Sequence, residues 1–147
     1  MKRTIIAVLA LALLTGCSGM QITGDTNNQA MAYIAGKGMA IGIYKVYPKS
    51  APVIEQEWMD MMGRSYGLDE LPAAEMQGFF NNVLLKNIPT LKNDPYGLSG
   101  DLAFFATLYG AQFTGGNMTA IKPIPMIVAK AFQAGYEGGR SVAVAMK

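Results

Sequence analysis

Residues 126–146 read MIVAKAFQAGYEGGRSVAVAM, and small residues recur in this stretch at every fourth position. Ala131, Gly135, Gly139 and Ala143 therefore fall on one side of a helix, because residues four apart share a face. Side chains this small let the backbone of a second helix approach closely. The stretch predicts a long helix that packs tightly against another helix along this face.

A matching stretch lies near the start of the chain, where residues 29–47 read QAMAYIAGKGMAIGIYKVY. Its small residues are Ala32, Gly36 and Ala40 at four-residue spacing, with Gly38 and Gly42 beside them. We predict that these two helices, the first and the last, pair inside one domain. The alternative is that the small-residue faces bind a second copy or another membrane protein. Insertion into a bilayer is disfavoured, because Lys37, Glu137 and Arg140 interrupt the two helices and charges at bilayer depth are costly.

The chain between these two stretches predicts three further helices. Ser50 and Pro52 are typical of a helix start and precede an apolar face that includes Trp58. Met76, Phe79, Phe80, Val83 and Leu84 follow helical spacing in the next segment, which begins at Asp69 and ends before Pro89. Ser99 precedes a helix whose face ends at Phe113, and residues 117–125 form a loop. The predicted fold is all-α, a compact bundle of about five helices, and no segment clearly predicts a strand.

The amino terminus has the organisation of an export signal. Met1, Lys2 and Arg3 are followed by an uncharged aliphatic run over residues 4–14, and then by Leu-Thr-Gly-Cys at residues 14–17. The run is shorter than the roughly 20 residues that a membrane-spanning helix needs. The tetrapeptide resembles the lipobox of the bacterial lipoprotein class: Leu, a small residue, Gly or Ala, and then Cys.

This resemblance implies diacylglycerol on the Cys17 sulfur, cleavage after Gly16, and a third acyl chain such as palmitate on the new amino group. Ser18 resembles the outer-membrane default of the Gram-negative members, in which Asp at this position favours the inner membrane. An ordinary secretory signal with a free Cys17 is the alternative. The predicted organisation is a signal peptide at 1–16, a lipidated tether at 17–28 and a single helical domain at 29–147.

The charge of the mature chain restricts its partners. The precursor carries 12 basic and 10 acidic residues. Removal of Lys2 and Arg3 leaves 12 − 2 = 10 basic residues, so the mature net charge is zero. A neutral chain gives no electrostatic basis for binding nucleic acid. The absence of histidine and of a second cysteine excludes Ser-His-Asp and Cys-His catalysis in the mature chain.

Two clusters of side chains have the composition of a chemical site. Met59, Met61 and Met62 could offer thioethers to Cu(I), but they do not share one helical face, and methionine is commonly core filler. The carboxylates that cluster between Glu55 and Glu75 could serve glycoside hydrolysis, but most lie where helix dipoles already favour acids. We therefore assign no catalytic residue, no metal site and no cofactor.

The sequence favours a non-enzymatic accessory or structural lipoprotein of the cell envelope that binds a protein partner. Its membrane attachment is through Cys17, and it lies on the periplasmic face of the outer membrane where the host is Gram-negative. The alternative is a binder of an apolar small molecule or lipid, held between helices by Phe79, Phe80, Phe104 and Phe105.

Overall fold

A computed structural model describes residues 26–92, 110–114, 116–119 and 122–146. The predicted helical character is confirmed, but the described residues form four α-helices rather than about five. They are α1 (Thr26–Val46), α2 (Ala51–Arg64), α3 (residues 73–87) and α4 (Met126–Ala145). Helix α1 begins three residues before the predicted start of the domain, and Asn28, assigned to the tether, is buried within it.

Helix α3 is not a regular α-helix throughout. Its first turn is Ala73–Gly78, its centre is a π-helical segment at Phe79–Leu84, and Leu85–Asn87 complete it. A short 3₁₀ helix, Pro89–Lys92, follows. The π segment turns Phe79, Phe80 and Leu84 into the core, where all three are buried. A π segment inside a helix marks a local departure in packing and recurs at functional sites.

The described residues also form four short strands that the sequence did not indicate. Strand β1 (Glu70–Leu71) pairs antiparallel with β4 (Ile124–Pro125), and β2 (Gln112–Thr114) pairs antiparallel with β3 (Asn117–Thr119). Phe113 is therefore in a strand and not at the end of a helix. Most of the helix predicted from Ser99 lies outside the described residues. Glu70 is also extended, so α3 begins after Pro72 and not at Asp69.

The Asn81 side chain of α3 holds the β2–β3 hairpin by making the two backbone hydrogen bonds that a neighbouring strand would make. Asn81 donates from Nδ2 to the Met118 carbonyl oxygen at 3.1 Å and accepts from the Met118 N–H through Oδ1 at 2.9 Å. The amide thereby satisfies both backbone groups of a residue whose side chain is fully buried. Satisfying buried backbone groups in this way avoids a substantial desolvation cost.

The core lies between all four helices, with Met39 and Ile43 contributed by α1, and contains a cluster of aromatic rings. The Trp58 ring meets Phe79 edge-on at 5.3 Å and Phe132 at 4.8 Å. Such edge and tilted arrangements add to the stabilisation that burial alone provides. Ser50 lies at the start of α2 as predicted, but its hydroxyl donates to the Asn87 carbonyl oxygen at 3.3 Å and does not cap the helix.

Candidate interaction surfaces

The first and last helices pack through glycines that rest on opposing backbone. A Cβ atom added to Gly135 would lie 2.7 Å from the Tyr33 carbonyl carbon, with the carbonyl oxygen nearer still. One added to Gly139 would lie 3.0 Å from the Lys37 carbonyl carbon. Both opposing positions advance by four residues, so α1 and α4 run parallel. Contacts of this kind also permit weak Cα–H···O=C hydrogen bonds between helices.

The nine residues predicted to form the small-residue faces divide into a buried group, to which Ala32 and Ala40 belong, and a half-exposed group. Gly36, Gly135, Gly139 and Ala143 are buried, and a Cβ on Gly36 would lie 3.0 Å from the Phe132 carbonyl carbon. Gly38, Gly42 and Ala131 are half-exposed. The first group is thus buried in the folded domain, whereas the residues of the second group remain partly exposed to solvent.

The side of the α1–α4 pair that faces solvent is mostly apolar, with the half-exposed Lys37 as its charged residue on α1, and we call it the outer face. The Tyr33 side chain extends from α1 to α4, where its hydroxyl oxygen would lie 3.2 Å from a Cβ atom added to Gly138. Ala134 and Val142 lie one turn to either side of Gly138 and are exposed, and Ile34 beside Tyr33 is 63% exposed. These residues define the outer face: Tyr33, Ile34, Ala134, Gly138 and Val142.

Polar side chains lie mainly on the other flank of α4, where it meets α2. Glu55 accepts hydrogen bonds from the Tyr44 hydroxyl at 2.6 Å and from Arg140 Nη1. Burial, together with the hydrogen bond to the Glu55 carboxylate, raises the pKa of Tyr44 to about 12. This cluster joins α1, α2 and α4. The Glu55 carboxylate is the less exposed partner of its ion pair with Arg140, and it accepts hydrogen bonds from both the guanidinium and the Tyr44 hydroxyl.

Two buried donors near this cluster have no partner among the described residues. They are the Tyr136 hydroxyl and the Trp58 indole N–H. Burial raises the pKa of Tyr136 above its usual value, with the negative charge of Glu55 and the Tyr44 phenol adding to the effect. A buried hydroxyl without a partner destabilises the fold, because it has lost its hydrogen bonds to water.

A shallow groove of about 290 Å³ separates α2 from α3. Met61, Phe79 and Val83 supply its apolar surface, and Glu57 and Asn82 are among its polar residues. Arg64 crosses one side by donating to Glu75 at 2.9 Å. Of the aromatic residues predicted to hold an apolar ligand, Phe79 lines this groove and Phe80 is buried. Phe104 and Phe105 lie outside the described residues.

The predicted clusters of methionines and carboxylates do not converge on a common point. Met61 is buried, Met62 is half-buried, and Met59 is exposed and accepts a hydrogen bond from Gln133 Nε2 at 3.0 Å. Asp60 accepts from Gln56 within the same helix. Across the described ranges, no group of three or more acidic, histidine or cysteine side chains is arranged to hold a metal ion.

The amino terminus matches a family model. Residues 1–18 match the prokaryotic membrane lipoprotein lipid attachment site. This segment is a bacterial lipoprotein signal with its lipobox. The prediction from Leu14 to Cys17 is confirmed, and the chain is a membrane-anchored lipoprotein of the bacterial envelope, although Cys17 itself lies outside the described residues. No curated protein and no solved structure matches the chain.

The lipid attachment site also bears on how the chain meets the membrane. Among the helices that the structure describes, none combines the length and the apolar character needed to cross a bilayer.

The sequence pattern indicated the helix pair because a four-residue period is visible locally. It did not indicate the outer face or the Glu55 cluster, because Glu55 and Arg140 are 85 residues apart.

Proposed function

We propose that this lipoprotein is a non-enzymatic accessory protein of the envelope whose helical domain binds a protein partner through the outer face. The observation that carries the proposal is the concentration of exposed apolar side chains on that face, of whose large side chains Ile34 is the most exposed. Exposed apolar residues that gather on one face mark interaction sites more often than scattered ones do. Lys37 is the charged residue nearest to Ile34 along the same helix.

The charges on the far flank support this choice of face. Glu137 accepts a hydrogen bond from Gln133 at 3.1 Å, and Gln133 also contacts Met59 of α2. Glu137 is therefore turned toward α2 and away from Gly138. An interface core depleted of charge and containing an aromatic residue such as Tyr33 is typical of protein-binding surfaces. A neutral mature chain also favours a protein partner over nucleic acid.

Site-specific photo-crosslinking in cells tests the proposal. A photoreactive residue at Ile34 or Val142 should give the same single adduct with one envelope protein. The matched control is Gln77, an exposed residue of α3, which should give no such adduct. An Ile34→Ser change should lower recovery of the partner at least tenfold while leaving the helical circular dichroism signal unchanged. Equal crosslinking from all three positions would contradict a specific interface.

The second candidate function is binding of an apolar small molecule, favoured by the groove between α2 and α3. The buried Phe79 ring and Met61 form an apolar base, and the Arg64–Glu75 ion pair borders the opening. Mass spectrometry of solvent extracts from the purified protein would identify a co-purified ligand. An Ala74→Trp change, at an exposed position on the groove wall, should eliminate that ligand. An unchanged extract would reject this function.

The proposed location is the periplasmic face of the outer membrane in a Gram-negative host. It rests on Ser18, since the resemblance to bacterial lipoproteins implies that Asp at this position favours the inner membrane. Membrane fractions separated on a density gradient test the assignment. The wild-type protein should appear with outer membranes and a Ser18→Asp variant with inner membranes. The same distribution for both would reject sorting by this residue.

A further inference from the structure

A second group of exposed apolar side chains lies at one end of the domain. Tyr66 is 88% exposed, Leu68 is 49% exposed and Ile127 is 51% exposed. Tyr66 and Leu68 belong to the turn between α2 and β1, whereas Ile127 is the second residue of α4. We call these three residues the apolar tip.

Backbone hydrogen bonds bring the three residues of the apolar tip together. The Met126 N–H donates to the Asp69 carbonyl oxygen at 2.8 Å, which joins the neighbour of Leu68 to the neighbour of Ile127. The Leu68 N–H donates to the Ser65 carbonyl oxygen at 3.2 Å and closes the turn. Gly67 has a φ of +85°, a conformation that glycine adopts without strain. The turn is thus fixed by the backbone.

The apolar tip lies at the end of the domain from which the chain leads to its lipid. Because α1 and α4 run parallel, their first residues, Thr26 and Met126, lie at the same end. Cys17 precedes Thr26 by nine residues, and a fully extended chain of that length spans about 30 Å. The opposite end lies farther away by the length of α1, about 31 Å at 1.5 Å per residue.

Charge at this end neither attracts nor repels a bilayer strongly. The exposed acids beside the apolar tip in sequence are Asp69 and Glu70, and the exposed lysines are Lys122 and Lys130. Arg64, two residues before Tyr66, is also exposed, but its charge is balanced by an ion pair with Glu75. Two charges of each sign cancel, so attraction to anionic headgroups is not the driving force. A tyrosine beside two aliphatic side chains suits the boundary between headgroups and acyl chains, where one part of the ring is wet and the other is apolar.

We propose that the apolar tip docks onto the surface of the bilayer that holds the lipid on Cys17. Docking orients the domain with its tip toward the membrane and the opposite ends of α1 and α4 away from it. Three side chains are too few to retain the domain alone, since even one acyl chain binds only reversibly. The tether makes the contact intramolecular and raises the effective concentration of the apolar tip at the surface. This contact uses none of the five residues that define the outer face.

Fluorescence quenching in vesicles tests the docking with the full lipidated protein. Its one native cysteine carries lipid, so an introduced cysteine is the single free thiol for labelling. A fluorophore at Leu68→Cys in phosphatidylcholine vesicles should be quenched at least threefold more by spin-labelled lipid than one at Val144→Cys. Val144 is a matched control, because it is 54% exposed and lies at the opposite end of α4.

Three further arms test the proposal, and the last of them distinguishes docking on a lipid surface from docking on an envelope protein. Adding Tyr66→Ser and Ile127→Ser to the Leu68→Cys protein should reduce its quenching to the Val144 value, whereas adding anionic lipid should leave the quenching unchanged. Equal quenching at both label positions would overturn the proposal. A label at Leu68 that is protected only after envelope proteins are added would also overturn it, and would identify the apolar tip as a protein contact.

Discussion

Replacement of Gly135 by alanine adds one methyl group at the closest approach between α1 and α4. The new Cβ would lie 2.7 Å from the Tyr33 carbonyl carbon and 2.9 Å from its Cα, whereas ordinary contact begins near 3.4 Å. The Tyr33 carbonyl carbon would therefore have to retreat by at least 3.4 − 2.7 = 0.7 Å. The obstructing atoms belong to the backbone of a 21-residue helix, so they cannot rotate aside as a side chain would.

The expected loss of stability follows from this obstruction. Overpacking of a tight core typically costs about 1–3 kcal/mol, and a backbone obstruction belongs at the upper end. Alanine also has a helix propensity about 1 kcal/mol better than glycine, which offsets part of the cost. We expect a net loss of about 2 kcal/mol in the free energy of unfolding. That loss leaves a domain of ordinary stability folded, whereas Gly135→Leu with Gly139→Leu should unfold it.

The matched control is Gly63→Ala. Gly63 is also helical, but a Cβ added there meets no atom within 4 Å. This change should stabilise the protein by about 0.5–1 kcal/mol through propensity alone. Urea denaturation of the lipidated protein in detergent, followed by far-ultraviolet circular dichroism, measures both variants. If Gly135→Ala proved as stable as Gly63→Ala, the close backbone contact between α1 and α4 would be disproved.

The remaining predictions concern hydrogen bonds, ionisation and the anchor. Tyr136→Phe should stabilise the fold by about 1 kcal/mol, because the hydroxyl is buried without a partner among the described residues. Tyr44→Phe should destabilise the fold by about 1 kcal/mol, because Glu55 loses a hydrogen-bond donor. Urea titrations measure both changes. Because the folded state raises the pKa of Tyr44 to about 12, stability present below pH 10 should fall between pH 10 and 12. Tyr44→Phe should make that fall smaller without removing it, because the folded state also raises the pKa of Tyr136. Asn81→Asp should lower the free energy of unfolding by about 2 kcal/mol, because the carboxylate still accepts from the Met118 N–H but repels the Met118 carbonyl oxygen. Asn82→Asp is the exposed control and should be nearly neutral. Equal melting temperatures for the two variants would contradict this prediction. With an ordinary secretory signal and Cys17→Ser, the domain should leave the membrane fraction on cell fractionation, and full retention would show that the protein surface suffices for attachment.

The sequence predicted best the features that repeat over short distances. Helix α4 was expected at 126–146 and ends at Ala145, because its periodicity and the preceding prolines are local signals. The lipobox needed no fold at all, since the features that define it are contiguous. The pairing of α1 with α4 was also predictable, because few residues other than glycine and alanine allow two helical backbones to touch.

Features that depend on distant residues were missed for a physical reason. Strand β1 has two residues, and it is extended because Leu71 pairs with Ile124, more than fifty positions along the chain. Phe113 fits a helical face by spacing, yet the hairpin with β3 determines its conformation. Ser50 has the chemistry of a helix cap, but the Asn87 carbonyl oxygen lies close enough to accept its hydroxyl proton.

The sequence by itself determined the membrane attachment of this protein and the helical character of its domain. Residues 14–17 specify lipid attachment through contiguous chemistry, and the four-residue recurrence of small side chains specifies the tight helix pair. Only the tertiary structure decided which apolar residues remain outside. Tyr33 reaches Gly138 on the outer face because α1 and α4 are parallel, and the turn that contains Leu68 lies beside the start of α4 because Asp69 bonds to Met126. Exposure depends on what covers a residue, and that is a property of the assembled chain.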